Sequence, residues 1–179
     1  CIVTAQNSSK MNYTEAWKKI EDLTNQKRQP QSALEEIQKV YETALKEKNY
    51  VQAVKAAIYR INNLVLTEEN TTAALIEALK RDAEQIPQPE KSVIYSLIGD
   101  LYKGYYQTNR WRIQGRTNTA IADDDINTWD VGRLFGEALK YYKLSIENEK
   151  ILQQTPIDNY ADILNDSKQI LLPTLYDFL

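Results

Sequence analysis

The chain has 179 residues, of which 42% are hydrophobic and 26% charged, enough apolar content for a packed core and too much for a disordered tail. Its net charge of −3 comes with no basic stretch, which excludes the phosphate-neutralising face of a nucleic-acid binder. There is no histidine, the one cysteine is Cys1, and glycine and proline number five each. An imidazole base, a Cys/His zinc site and an intrachain disulfide are therefore excluded, and turn formers are too few for an all-β fold.

Residues 1–11 read as an export-signal remnant or a lipoprotein tether. In the first case Val3 and Ala5 occupy the small-residue positions before a cleavage site and Gln6 begins the mature chain. In the second, Cys1 carries the lipid and the polar stretch from Gln6 to Lys10 is the tether. An arbitrary boundary is the third reading. Both export readings place the protein in the cell envelope, periplasmic or lipid-anchored. No run of eighteen apolar residues follows, so no transmembrane helix is expected.

Residues 12–179 read as one helical domain. Trp17, Ile20 and Leu23 recur at helical spacing between Asn12 and Lys27. Gln29-Pro30 breaks this helix, and Pro30 suits the first turn of the next. A helix over 31–48 carries Leu34, Ile37, Tyr41, Ala44 and Leu45 on one face. Lys48-Asn49-Tyr50 is a tight turn, and the return helix over 50–65 presents Ala53, Val54, Ala57, Ile58, Ile61 and Leu64. So short a turn makes the pair antiparallel.

Glu69-Asn70-Thr71-Thr72 offers N-cap oxygens for a helix over 72–85 with Leu75, Ile76, Leu79 and Ala83 inward. Pro87 and Pro89 end it. The helix over 90–108 places Val93, Ile94, Leu97, Ile98, Leu101 and Tyr105 on its buried stripe. The period then stops, and Asn109 to Asn127 reads as a long ordered loop. It resumes from about Asp130 to Leu152 through Val131, Leu134, Phe135, Ala138, Leu139, Tyr142 and Ile146. Short helical turns divided by Pro173 complete the chain.

Helical hairpins in series suggest a solenoid. Tyr95, Ile98, Gly99 and Tyr102 match the first-helix spacing of a tetratricopeptide hairpin, and Ala138, Tyr142 and Ser145 match the second. Gly99 is thereby expected where two helices touch. The earlier hairpin fits less well, since Tyr41 stands where glycine is expected. The fold class is therefore all-α: antiparallel helical hairpins, a tetratricopeptide-like array with one long inserted loop. A generic helical bundle is the plain alternative.

The inserted segment holds Arg110, Trp111, Arg112 and Arg116, then Asp123, Asp124 and Asp125, with Trp129 just beyond. Guanidinium groups stack on aromatics and meet carboxylates bidentately. The cluster is either a docking site for an acidic partner or a carboxylate ligand, or a structural clamp in which the arginines pair with Asp123, Asp124, Asp125 or Asp130. Trp111 or Trp129 is expected to pack against the flanking helices. Three successive aspartates do not make a calcium loop here, because neither the sharp-turn glycine nor the closing glutamate is in place. No catalytic motif, metal site or cofactor is expected. The sequons at Asn7, Asn12, Asn70 and Asn165 are ordinary in an Asn- and Thr-rich chain.

Several segments carry a family resemblance. They are Tyr13-Thr14-Glu15-Ala16-Trp17-Lys18, Lys48-Asn49-Tyr50, Asn109-Arg110-Trp111-Arg112-Ile113, Trp129, Leu152-Gln153-Gln154-Thr155-Pro156-Ile157 and Pro173-Thr174-Leu175-Tyr176-Asp177-Phe178-Leu179. Across nearly its whole length the chain resembles the N-terminal helical region of alpha-2-macroglobulin-like proteins of the Bacteroidetes group. The resemblance implies a long exported protein, with macroglobulin β-domains downstream, that traps or inhibits proteases at the cell envelope. The family's thioester motif, Cys-x-Glu-Gln, is absent, so its trapping chemistry transfers to no residue here. The expectation is a non-catalytic accessory or interaction domain. Its partners are downstream domains of the same polypeptide or another envelope protein. The alternative is a fragment of a tetratricopeptide-like, glycan-binding surface lipoprotein, which would display an exposed aromatic platform.

Overall fold

The computed structural model describes residues 10–67, 71–116, 125–164 and 172–179. Cys1 and the rest of the expected tether, with Asn7, Asn70, Asp123, Asp124 and Asn165, lie outside the described residues. The protein is all-α, built from helical hairpins. Among the described residues there is no β-strand, and no helix is long and apolar enough to cross a membrane. The chain divides into two compact units, Cys1–Thr67 and Glu68–Leu179.

In the first unit, α1 (Tyr13–Glu21) starts at Asn12, whose side chain accepts from the Glu15 N–H. Trp17 and Ile20 are buried. The uninterrupted helix expected to Lys27 instead widens into a π turn over Asp22–Gln26. There Leu23 is buried, and the Thr24 hydroxyl donates to Asn63 Oδ1 at 2.9 Å. Helix α2 (Pro30–Lys46) begins at proline, as the missing N–H allows. Its buried residues are Ala33, Ile37, Val40, Tyr41 and Ala44, whereas Leu34 and Leu45, expected inside, are only half-buried. The face has turned so that its smallest side chains lie innermost. Helix α3 (Tyr50–Thr67) returns after a turn in which Lys48 takes φ 57°, and it buries Ala53, Val54, Ala56 and Ala57. Alanines on both helices permit a close antiparallel approach. The Trp17 indole N–H donates to Gln52 Oε1 at 2.6 Å within this core.

In the second unit, α4 (Thr72–Gln85) buries Leu75, Ile76, Leu79 and Ala83, in agreement with their spacing. Thr71 holds the N-cap position, but its side chain makes no capping bond. Helix α5 (Glu90–Gln114) corrects the expected loop, because it runs six residues past position 108. The inward stripe passes Tyr102 and Tyr105 and ends on the fully buried Ile113. Asn109 interrupts the apolar period in sequence. Its Nδ2 donates to the Tyr105 carbonyl and its Oδ1 accepts from Arg112, both at 2.9 Å, so the polar side chain is satisfied within the helix. Leu97 and Leu101 are half-buried, while Gly99 and Tyr102 are buried.

Helix α6 (Val131–Ile146) is capped by Asp130, which accepts from the Arg133 N–H at 2.7 Å. Tyr95 meets Tyr141, Gly99 meets Tyr142 and Tyr106 meets Phe135. From Gly99 against Tyr142 to Tyr106 against Phe135 the numbers rise on α5 and fall on α6, so the pair is antiparallel. The buried stripe of α6 is Leu134, Ala138, Tyr141 and Ser145. Phe135, Leu139 and Ile146, expected on that stripe, are exposed by 46%, 54% and 39%. The helix also stops at Ile146 rather than Leu152. A separate short helix, α7 (Glu149–Gln153), starts after Asn148 and carries the fully buried Leu152.

The C-terminal segment folds back on itself. Ile157 N–H donates to the Pro173 carbonyl and Leu175 N–H to the Thr155 carbonyl, an isolated antiparallel bridge at Pro156 and Thr174. The last short helix, α8 (Leu175–Phe178), is started by a capping box between Thr174 and Asp177. A 3-10 turn over Ile157–Tyr160 buries Tyr160, whose hydroxyl donates to Glu90 at the start of α5.

Candidate functional site

Within the second unit, α4, α5 and α6 border a groove of about 490 Å³. Its floor includes Tyr102, whose phenol stacks on the Trp129 indole at a centroid separation of 5.8 Å and an interplanar angle of 14°. Helix α4 contributes Ile76, Glu77 and Lys80, and helix α6 contributes Arg133, Glu137 and Lys140. Ile126 joins the lining from a 3-10 turn over Ile126–Thr128.

The charged side chains follow helical spacing. Lys80 reaches Glu77 at 2.7 Å, and Lys140 reaches Glu137 at 3.1 Å, each an i,i+3 pair. The Arg133 guanidinium lies 4.0 Å from the Trp129 ring centroid, a cation–π contact. Burial alone would lower the Lys80 ammonium. The hydrogen bond it donates to Glu77 and the nearby Tyr102 and Tyr141 phenols outweigh it, so its pKa is raised and it stays protonated. Burial pushes the Tyr102 phenol up, against the opposing pull of Lys80, so it stays neutral. The described lining thus carries three cations against two carboxylates over an aromatic floor.

The ends of the inserted segment build one wall of this groove. Asp125 caps the 3-10 turn by accepting from the Asn127 N–H at 2.9 Å. Arg116 donates to the Trp129 carbonyl at 2.9 Å. Arg112 donates to the Tyr105 hydroxyl, which donates to Asn127 Oδ1, whose Nδ2 donates to Asp125 Oδ1, at 2.9, 2.9 and 2.8 Å. Arg112 and Arg116 thus anchor the segment through neutral oxygens. Of the carboxylates expected as partners, Asp130 caps α6, and Asp123 and Asp124 lie outside the described residues. Trp129 packs, with 8% of its surface exposed, whereas Trp111 is 79% exposed and carries Arg110 at 4.9 Å from its ring. The structure therefore brings Arg112, Arg116, Asp125 and Trp129 together and leaves Arg110 and Trp111 outside.

Five groove residues went unremarked in the sequence: Glu77, Lys80, Arg133, Glu137 and Lys140. The signal lies in the three- and four-residue spacing of Arg133, Glu137 and Lys140, which puts them on one face of α6. Among the described residues, no group of three or more His, Cys, Asp or Glu side chains is placed to hold a metal ion. No family model matches the chain, and neither a curated protein nor a solved structure matches it.

Proposed function

We propose that this chain is a non-catalytic helical interaction domain at the head of a large exported, alpha-2-macroglobulin-like protease-trapping protein of the cell envelope. The observation that carries the interaction reading is the groove itself. Its side chains come from three helices and a capped turn, so they are held in place before any ligand arrives. The macroglobulin part rests on the sequence resemblance. Several segments that carry the resemblance are joints of the fold: Trp17 bonded to Gln52, Lys48 in the left-handed turn, and Thr174 pinning the C-terminal segment. A tetratricopeptide-like hairpin for α5 and α6 is supported by Gly99 lying under the Tyr142 ring.

The glycan-binding alternative calls for open aromatic faces. Tyr102 and Trp129 expose only 2% and 8% of their surface, and the exposed Trp111 does not line the groove. The protein-interaction reading is therefore preferred. Two measurements test it. Macroglobulin-type β-domains encoded downstream of Leu179 support the parent assignment, and a glycan-uptake context overturns it. A photoreactive residue replacing Ala73, an exposed groove residue, should cross-link to a downstream domain of the parent protein or to another envelope protein. The same residue placed at Lys46 should not. Equal cross-linking from both positions overturns the groove as the interaction site.

A further inference from the structure

We propose that the α4–α5–α6 groove recognises an acidic peptide segment, with one carboxylate held by Arg133 and a second between Lys80 and Lys140. This rests on the interaction reading above and names the chemistry of what is bound.

Arg133 is the anchor. Its guanidinium lies 4.0 Å from the Trp129 centroid, so the indole fixes its plane. A planar guanidinium has five in-plane N–H donors, more than one partner takes up, and its edge matches a carboxylate bidentately. Trp129 is in turn fixed by Tyr102 under its ring and by Arg116 on its carbonyl. The anchor is thus built before binding, which lowers the entropy lost on association.

The two lysines supply the second contact. Each sits in an i,i+3 pair with a glutamate, and the Lys80 and Lys140 side chains are 34% and 56% exposed. Solvated pairs of this kind are worth little, so a ligand carboxylate can compete for or share the ammonium. Closed aromatic faces leave a sugar ring no surface to stack on, which favours a peptide over an acidic glycan.

The test is fluorescence anisotropy on the whole chain. The probes are labelled tetraglutamate, labelled tetraglutamine and labelled tetragalacturonate, each at low and at physiological salt. Tetraglutamate should bind, weaken with salt, and exceed tetraglutamine by roughly tenfold or more, the worth of a charge-assisted contact. Lys80→Gln with Lys140→Gln should lower its affinity by a similar factor. Arg133→Lys, which keeps the charge and loses the planar fork, should do the same, while Lys46→Gln should leave it unchanged. Circular dichroism checks that each variant is folded. Equal binding of tetraglutamate and tetraglutamine overturns the proposal, as does no binding of either. Preference for tetragalacturonate overturns it in favour of an acidic glycan. If Ala73 cross-links to a protein while tetraglutamate fails to bind, the interaction reading stands and the acidic ligand falls.

Discussion

Gly99 lies directly beneath Tyr142: a Cβ built on the glycine would stand 2.8 Å from the tyrosine Cε1. The same ring is pinned from its far end, because its hydroxyl donates to Asp100 at 2.7 Å. The ring therefore spans the α5–α6 seam with little room to retreat. Gly99→Leu should overpack this contact and lower stability by about 1–3 kcal/mol in urea unfolding, despite the better helix propensity of leucine. Adding Tyr142→Ala should recover much of that loss, since the two changes share one space. Gly104 provides the opposite case on the same helix. A Cβ there meets nothing within 4 Å, so Gly104→Ala should stabilise by about 0.5–1 kcal/mol through propensity alone.

The buried bond between Trp17 and Gln52 is the polar contact at the centre of the first unit. Gln52→Leu keeps the bulk but leaves the indole N–H inside with no equivalent acceptor. The expected cost is about 1–3 kcal/mol, the penalty of an unsatisfied buried donor. Chemical unfolding followed by tryptophan fluorescence reads it. A variant as stable as wild type would mean that the indole finds water or another oxygen.

Much of this architecture was legible from hydrophobic spacing: the hairpins, the turn at Lys48, Pro30 at a helix start, and the close approach at Gly99. Spacing failed where one polar residue occupied an inward position. Asn109 hid the last turn of α5 because its partners are its own helix's Tyr105 carbonyl and Arg112. It also failed to choose between two apolar stripes. In α6 both Leu134/Ala138/Tyr141 and Phe135/Leu139/Ile146 run at helical spacing, and only packing against α5 decides which is buried. For the groove, the sequence pointed to Arg116, Asp125 and Trp129 from the unusual segment they border. Lys80 was invisible because its groove neighbours on α6 lie some fifty residues away in the chain.

Tyrosine–carboxylate bonds make the stability pH-dependent at both extremes. Glu47 accepts from the Tyr13 hydroxyl at 2.7 Å and from the Met11 N–H at 3.1 Å, and these bonds hold its carboxyl below the ordinary value. Lys19 and Lys39 do the same for Glu36. A depressed folded pKa contributes stability above the unfolded value and loses it as pH falls through the folded one. Acid should therefore destabilise wild type more steeply than Glu47→Gln. At the alkaline end, burial and the neighbouring carboxylates Asp100 and Glu90 raise Tyr142 and Tyr160 above 10.0. That contribution is present below the unfolded value and is lost as pH rises through the folded one. Urea midpoints should fall above about pH 10, less steeply in Tyr142→Phe. Flat profiles for both variants and wild type would remove these bonds from the stability account.

The three arginines of the inserted segment should separate cleanly on substitution by alanine. Arg110 contacts the exposed Trp111 ring, and its removal should change stability by no more than about 0.5 kcal/mol. Arg116 donates to the Trp129 carbonyl from a half-buried position. Losing a charge-assisted bond there should cost about 1.5–3 kcal/mol. Arg112 acts through Tyr105 and Asn127 on the capped turn and should fall between the two. The order matters more than the sizes, because it follows from which arginine holds the wall of the groove. Arg116→Ala should also release Trp129, shifting its fluorescence toward the solvent-exposed range and weakening the cation–π contact with Arg133. Urea unfolding and emission spectra of the three variants measure both effects. Equal stabilities for Arg110→Ala and Arg116→Ala would show that the Arg116 bond does not clamp the segment, and the wall would then owe its position to Tyr102 and Ile126 packing.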